Sequence, residues 1–178
     1  MKNFFFCLFA VLCLSTTAKA QTNGDSKNNT AFFGEFGGPG ILFSANLDKR
    51  FTPSRFGVGG RIGLGFVTTN KDEYNSGGYY DSRQQSVVTI PFQLNYIFGK
   101  PNSSHGLEIG IGGTYVGKKI DVFSMFNNGE GTQYYTTFSF KYRRVPVDGG
   151  FTWNIGFSPL LAKGIIVPFA GVGFGFAF

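Results

Sequence analysis

Charged side chains occur in this sequence at spacings that suit a network of buried ion pairs. Asp48 and Arg50 are two residues apart, as are Lys141 and Arg143. Residues two apart in a β-strand point to the same face of the strand. Three acids and four bases fall on such faces: Glu35, Asp48 and Glu108, with Arg50, Arg61, Lys141 and Arg143. Because unpaired charges are costly where water is scarce, we expect these side chains to form salt bridges with one another.

Uncharged polar residues extend the same faces. The complete expected network is Glu35, Asp48, Arg50, Arg61, Gln93, Asn95, Glu108, Lys141, Arg143 and Asn154. Within it we expect Glu108 and Arg143 to lie on neighbouring strands, and Asp48 and Arg61 to be diagonal across a hairpin.

Catalytic chemistry has little support in the sequence. His105 is the only histidine, and it falls in a short turn, away from the rim where a general base would act on lipids or peptides. Asp72, Glu73 and Asp81 crowd one predicted loop, but their spacing matches no regular calcium site, and they indicate a solvated surface. Glycine-rich pieces such as 57–60 and 110–113 lie within predicted strands, not before a helix. We therefore predict no catalytic residue, no metal site and no cofactor.

The N-terminus has the three-part pattern of a cleaved secretory signal. Lys2 precedes an apolar run over residues 4–14, and Ala18-Lys19-Ala20 provides the small-x-small cleavage site. We predict a signal peptide over 1–20, a flexible polar lead-in over 21–30, and one domain over 31–178. Both cysteines would leave with the signal, so disulfides cannot stabilise the mature chain. The net charge of +6 is spread along the chain and does not indicate a nucleic-acid-binding surface.

The composition and the turn residues predict an all-β domain. Gly (27), Phe (23) and Tyr (8) are abundant, and apolar and polar residues alternate between turn signals. The predicted strands are 31–38, 41–51, 56–69, 85–98, 106–117, 135–145, 151–161 and 167–178. Short turns alternate with long polar loops over 70–84 and 118–134. For residues 31–51 two interpretations stay open: a hairpin with an external turn at 37–40, or one bent strand.

The size and polarity of the side chains on the two faces predict which face of the sheet points outward. No stretch after the signal approaches about 18 consecutive apolar residues, which excludes membrane-spanning helices. The apolar faces carry large side chains, such as Ile62, Leu64 and Phe66, whereas the opposite faces are small or ionic. A narrow eight-stranded barrel has room only for the second kind. We therefore predict an eight-stranded antiparallel up-and-down transmembrane β-barrel with its apolar side chains facing lipid.

Three parts of the sequence support a resemblance to a known family. The signal peptide, the stretch from Phe32–Gly38 through Asn46–Phe51, and the terminal Phe174–Phe178 resemble the small outer-membrane β-barrel proteins of Gram-negative bacteria, the OmpX/OmpA-like group. The resemblance implies an outer-membrane location, contact with outer-membrane lipid, and recognition by the barrel assembly machinery. The implied assembly signal is the alternating set Phe174, Phe176 and Phe178.

The long loops are where we expect any specificity. Aromatic residues stand among polar ones there, as in recognition surfaces: Tyr74, Tyr79, Tyr80, Phe123 and Phe126. We predict a barrel with a polar-plugged interior and a structural or surface-interaction role toward an external ligand or surface, without catalysis. The alternatives are a small lipid-modifying barrel enzyme or a narrow channel, and then a soluble ligand-binding barrel.

Overall fold

The computed structural model describes residues 29–74, 80–120 and 132–178. Within them are ten strands: β1 (Thr30–Gly37), β2 (Phe43–Arg50), β3 (Gly57–Tyr74), β4 (Tyr80–Gly99), β5 (His105–Ile120), β6 (Thr132–Arg144), β7 (Gly150–Phe157), β8 (Leu160–Ala162), β9 (Ile165–Val167) and β10 (Ala170–Ala177). A short 3-10 turn spans Gly38–Gly40. None of the described segments is a helix of the length and apolarity needed to cross a membrane.

The strands form one closed antiparallel barrel. Each strand from β1 to β7 pairs with its neighbours in chain order, β10 pairs with both β7 and β1, and β5 pairs with β6. Closure is complete at the β1–β10 seam, where Ala31 pairs with Ala177 and Gly37 with Gly171. The predicted eight-stranded barrel is thereby confirmed.

The short strands β8 and β9 extend β7 and β10, respectively, and add no further strand to the eight of the barrel. Leu160 pairs with Val167 in the same register that pairs Phe157 with Ala170. Between these pairs Pro159 stands opposite Pro168. Proline has no N–H to give to a ladder, so Pro159 accepts a bond from Phe138 N–H (3.1 Å) without returning one. The predicted strands 151–161 and 167–178 are therefore in the right places, but each is interrupted at a proline.

The barrel has two unlike ends. At the end we call the turn end lie the short connections 51–56, 100–104 and 145–149, together with Thr30 and Phe178. At the other end, which we call the extended end, β3 runs out to Tyr74 and β4 begins at Tyr80. In the same way, β5 runs out to Ile120 and β6 begins at Thr132. The loop predicted over 70–84 is therefore wrong at 70–74 and 80–84, and the loop predicted over 118–134 is wrong at 118–120 and 132–134. The rest of both predicted loops lies outside the described residues. Their polar residues indicated contact with water, and a strand that projects beyond the apolar band meets that condition while its backbone stays paired.

Residues 31–51 form a hairpin, and its turn does not project outward as predicted. Gly37 and Gly38 have φ values of 71° and 67°, a region that glycine enters without steric cost. They direct the chain into the barrel, where Pro39, Gly40 and Ile41 are buried. The hairpin ends early because its connection fills the lumen.

Side chains alternate across the wall as the sequence predicts. Large apolar residues of the outer face are exposed: Phe32, Leu47, Ile62, Leu64, Phe92, Leu94, Ile109, Ile111, Phe140, Ile155 and Phe174. The interior positions of the same strands are buried and mostly polar. This distribution is the reverse of that in a water-soluble domain.

Candidate functional site

Asp48 on β2 is the centre of the interior. Its Oδ1 accepts a hydrogen bond from Arg50, and its Oδ2 accepts bonds from Arg61 Nη2 (3.2 Å) and Arg143 Nη1 (3.1 Å). Arg61 lies directly opposite Asp48 in the β2–β3 register, not diagonal to it as expected. All four side chains are almost fully buried, so each charge depends on the others for stabilisation.

Glu108 on β5 joins the same cluster from the far side of the lumen. Its Oε1 accepts a bond from Arg61 Nη2 (2.7 Å) and its Oε2 one from Arg143 Nη1 (3.1 Å). Arg143 is on the neighbouring strand β6, as expected, and is diagonal to Glu108, which pairs in register with Lys141. Two arginines thus bridge two carboxylates across the barrel.

Glu35 and Lys141 form a second ion pair. Lys141 Nζ donates to Glu35 Oε1, and both side chains are fully buried. The pair spans the lumen from β1 to β6. It lies beneath the inward turn, because the Glu35 carboxylate is next to the Cα of Gly38.

Uncharged polar side chains complete the arrangement. Asn95 Nδ2 donates to Asp48 Oδ2 (2.8 Å), while its Oδ1 accepts from Arg50 Nη2 (2.5 Å). Gln93 Oε1 is 3.5 Å from Arg61 Nη1, at the outer limit of a hydrogen bond. Asn154 is buried on β7, and its Oδ1 has no hydrogen-bond partner within the described part of the chain.

Phe33 belongs to this interior although sequence analysis did not include it. Its ring is 1% exposed. The guanidinium carbon of Arg61 lies 4.8 Å from the ring centroid and that of Arg143 lies 5.4 Å from it. Cation–π contacts of this kind stabilise desolvated arginines. Its position, two residues before Glu35 on the same face, was the available signal.

The inward turn closes the lumen toward the extended end. Thr114 Oγ1 donates to Pro39 O (2.5 Å) and Thr89 Oγ1 donates to Gly40 O (3.1 Å). Ile41 then packs in an apolar cluster of Val67, Val87, Val116, Tyr135 and Leu160. Ile41 has a φ of 76°, which is rare for a β-branched residue and costs about 1–3 kcal/mol. The burial of its side chain in this cluster offsets that strain.

Arg55 closes the turn end. From the β2–β3 connection its Nη1 donates to Val145 O (2.8 Å), and its Nη2 donates to Pro101 O, so one guanidinium joins all three short turns. Burial lowers the pKa of Arg55 from its usual value, while the carboxylate of Asp148 acts in the opposite direction. Beneath it, a cavity of about 10 Å³ bordered by Asp48 and Arg50 has room for about one water molecule.

Comparison with known proteins places this geometry in a recognised fold. No family model matches the chain, and no curated protein matches it. Among solved structures, the N-terminal β-barrel domain of Pseudomonas aeruginosa OprF aligns over 84% of this chain and 96% of its own, with a TM-score of 0.53 and 13% identity. The chain has the fold of the eight-stranded outer-membrane β-barrels. At this identity the likeness concerns the fold alone.

A second solved structure covers the same part of the chain. The Yersinia pestis outer membrane protein Ail, determined in a phospholipid bilayer nanodisc, aligns over 84% of this chain and 99% of its own. Its TM-score is 0.49 and its identity 14%.

The remaining predicted residues that the structure describes lie in the wall of this fold. Phe174, Phe176 and Phe178 share the outer face at the β1–β10 seam, and Phe178 N–H donates to Thr30 O (2.8 Å). Tyr74 and Tyr80 pair with each other at the ends of β3 and β4, so they are strand residues and not loop residues as predicted. The other recognition candidates, Tyr79, Phe123 and Phe126, lie outside the described residues.

His105 and the acidic residues do not converge. The His105 ring stacks on Tyr142 on the outer face, with ring centroids 5.5 Å apart, whereas Glu35, Asp48 and Glu108 lie inside. Within residues 29–74, 80–120 and 132–178, no three His, Cys, Asp or Glu side chains are grouped to hold a metal ion. Within this region, the interior charges engage one another in ion pairs.

Proposed function

We propose that this chain is an outer-membrane β-barrel of a Gram-negative bacterium, with a closed interior and a structural or surface-interaction role at its extended end, without catalysis. The observation that carries the proposal is the reversed polarity of the barrel. Its outer face is apolar, and its interior is an ion-pair network.

The outer face supports a membrane location. Exposed phenylalanine, leucine or isoleucine side chains occur on all eight strands of the barrel wall. Soluble monomers rarely expose contiguous apolar patches beyond a few hundred Å², and this band surrounds the barrel. Lipid chains are the environment that leaves such a face without a solvation penalty.

Three successive layers support a closed interior. Arg55 ties the short turns together at one end, the ion-paired residues around Asp48 fill the middle, and the inward turn with Ile41 fills the lumen toward the extended end. An ion moving along the axis would have to displace both charged and apolar side chains. The polar plug predicted from the sequence would thus be supplemented by an apolar one.

The ends of the barrel assign its orientation. An exported chain reaches the outer membrane from the periplasm, and short turns face that side in barrels of this kind. The turn end would then be periplasmic and the extended end external. Outer-membrane lipid and the barrel assembly machinery are the proposed partners, the latter through Phe174, Phe176 and Phe178.

The extended end offers an unpaired strand edge to an external partner. Strand β2 pairs with β3 only as far as Phe66, although β3 continues to Tyr74. Within the described residues, no strand pairs with 67–74 on that side. Free backbone groups of such an edge can add a strand from another protein. This edge supports the surface-interaction role.

Three measurements test the proposal. The protein should require detergent or lipid to stay in solution; a monodisperse protein in plain buffer would overturn the membrane location. In planar bilayers it should give no stable conductance, because the lumen is filled. A steady pore current would overturn the closed interior, and turnover of an envelope lipid by the purified protein would overturn the absence of catalysis.

A further inference from the structure

The outer face of the turn end carries a group of cationic and aromatic side chains that the proposed function does not use. His105 begins β5 and pairs in register with Arg144, the last residue of β6. Arg144 in turn pairs with Trp153 on β7. The three side chains therefore form one row across three neighbouring strands, at the edge of the apolar band.

Tyr142 joins this row into a compact cluster. Its ring stacks on His105 with ring centroids 5.5 Å apart, and it lies 5.6 Å from the ring of Trp153. Tyrosine and tryptophan favour the boundary between acyl chains and headgroups, because one end of each ring system is apolar and the other is polar. The cluster thus has the composition of a membrane interface.

Arg144 is held in place with donors to spare. Its Nη1 donates to Phe151 O on the neighbouring strand. A guanidinium has five N–H donors in a planar fork that matches phosphate oxygens. The cluster therefore carries several potential donors: the remaining N–H groups of Arg144, the imidazole of His105, the indole N–H of Trp153 and the hydroxyl of Tyr142.

The charge around this cluster favours an anion. Lys100, in the turn that precedes β5, is a further exposed cation of the turn end on the same side of the barrel. Outside the lumen, Asp148 is the only acidic residue among those described at this end, and it lies in the 145–149 turn. Basic side chains near a membrane surface each contribute about 1 kcal/mol of attraction to anionic lipid, about a fivefold preference.

We propose that His105, Tyr142, Arg144 and Trp153 bind the phosphate headgroup of an anionic glycerophospholipid in the leaflet that borders the turn end. The inference rests on the proposed membrane location. The phosphate accepts hydrogen bonds from Arg144 and the neighbouring donors, while the acyl chains lie along the apolar outer face above Tyr142. A single lipid would thus be held at the β5–β6–β7 wall.

The single tryptophan of the chain gives a direct readout, because Trp153 is part of the site. The protein is reconstituted in phosphatidylcholine vesicles with a fixed fraction of lipid brominated near the carboxyl end of its acyl chains, either phosphatidylglycerol or phosphatidylcholine. Brominated phosphatidylglycerol should quench Trp153 with about a fivefold higher relative affinity. Arg144→Gln should abolish most of the difference, and Arg144→Lys should keep part of it because the charge remains.

Matched controls separate a site from a general attraction. Lys49→Gln removes an exposed cation of the same end on β2, the wall opposite β6, and should leave the preference intact; an equal loss in this variant would overturn the site. Dissolved inorganic phosphate should not change Trp153 fluorescence, and a change would assign the cluster to a free anion instead. Equal quenching by both lipids would refute the lipid site alone, whereas quenching by neither would refute the membrane location as well.

Discussion

Replacing Asp48 by asparagine tests whether the interior is held by its ion pairs. The carboxylate accepts bonds from Arg50, Arg61, Arg143 and Asn95. Without its charge, Arg61 and Arg143 keep only the carboxylate of Glu108 as an ion-pair partner, and Arg50 loses its ion pair with Asp48. Breaking a buried pair by removing one partner costs about 3–5 kcal/mol, because the remaining charge stays desolvated. We expect Asp48→Asn to lower the free energy of unfolding by about that amount.

The measurement is a guanidinium titration of the protein in lipid vesicles, followed by the fluorescence of Trp153. In the variant Arg50 keeps its bonds to Gly57 O (2.9 Å) and Asn95, but its buried charge has lost its ion-pair partner. Removing the charge of Arg50 as well should therefore restore part of the lost stability. The double variant Asp48→Asn, Arg50→Gln is therefore expected to be more stable than Asp48→Asn alone. Lys49→Asn, on the exposed outer face, should stay within about 0.5 kcal/mol of the wild type. A loss below about 1 kcal/mol for Asp48→Asn would refute the reasoning.

Three further changes test the outer face and the two ends. Ile109→Arg places a charge on the apolar outer face and should cost about 2–4 kcal/mol near the bilayer midplane, measured by the same titration; no loss would mean that Ile109 does not face lipid. Thr114→Val removes the bond to Pro39 O and should cost about 1 kcal/mol, whereas Thr114→Ser keeps the hydroxyl and should be mild; equal costs would contradict a role for this bond. Arg55→Ala should cost about 2 kcal/mol and speed hydrogen exchange at the Val145 amide, and unchanged exchange there would mean that Arg55 does not hold the turns together.

Two predictions from the sequence were wrong, each for its own physical reason. The polar residues 70–84 predict a loop, yet β3 extends to Tyr74 and β4 begins at Tyr80. Polarity reports contact with water, whereas a strand requires only paired backbone groups. The turn at 37–40 was placed outside because glycine and proline mark exposed turns. It folds inward because threonines of β4 and β5 supply donors for its carbonyl groups.

The sequence by itself determined which face of each strand is apolar, and with it the barrel and its polar interior. That property is local, since a period of two residues assigns every side chain to one face whatever the neighbouring strands do. The tertiary structure decided which interior groups meet: that Asp48 is shared by three arginines, that Phe33 lies under two of them, and that Arg55 joins three turns. These contacts depend on the register of eight strands and on their closure into a barrel. No single strand carries that information in its own alternation.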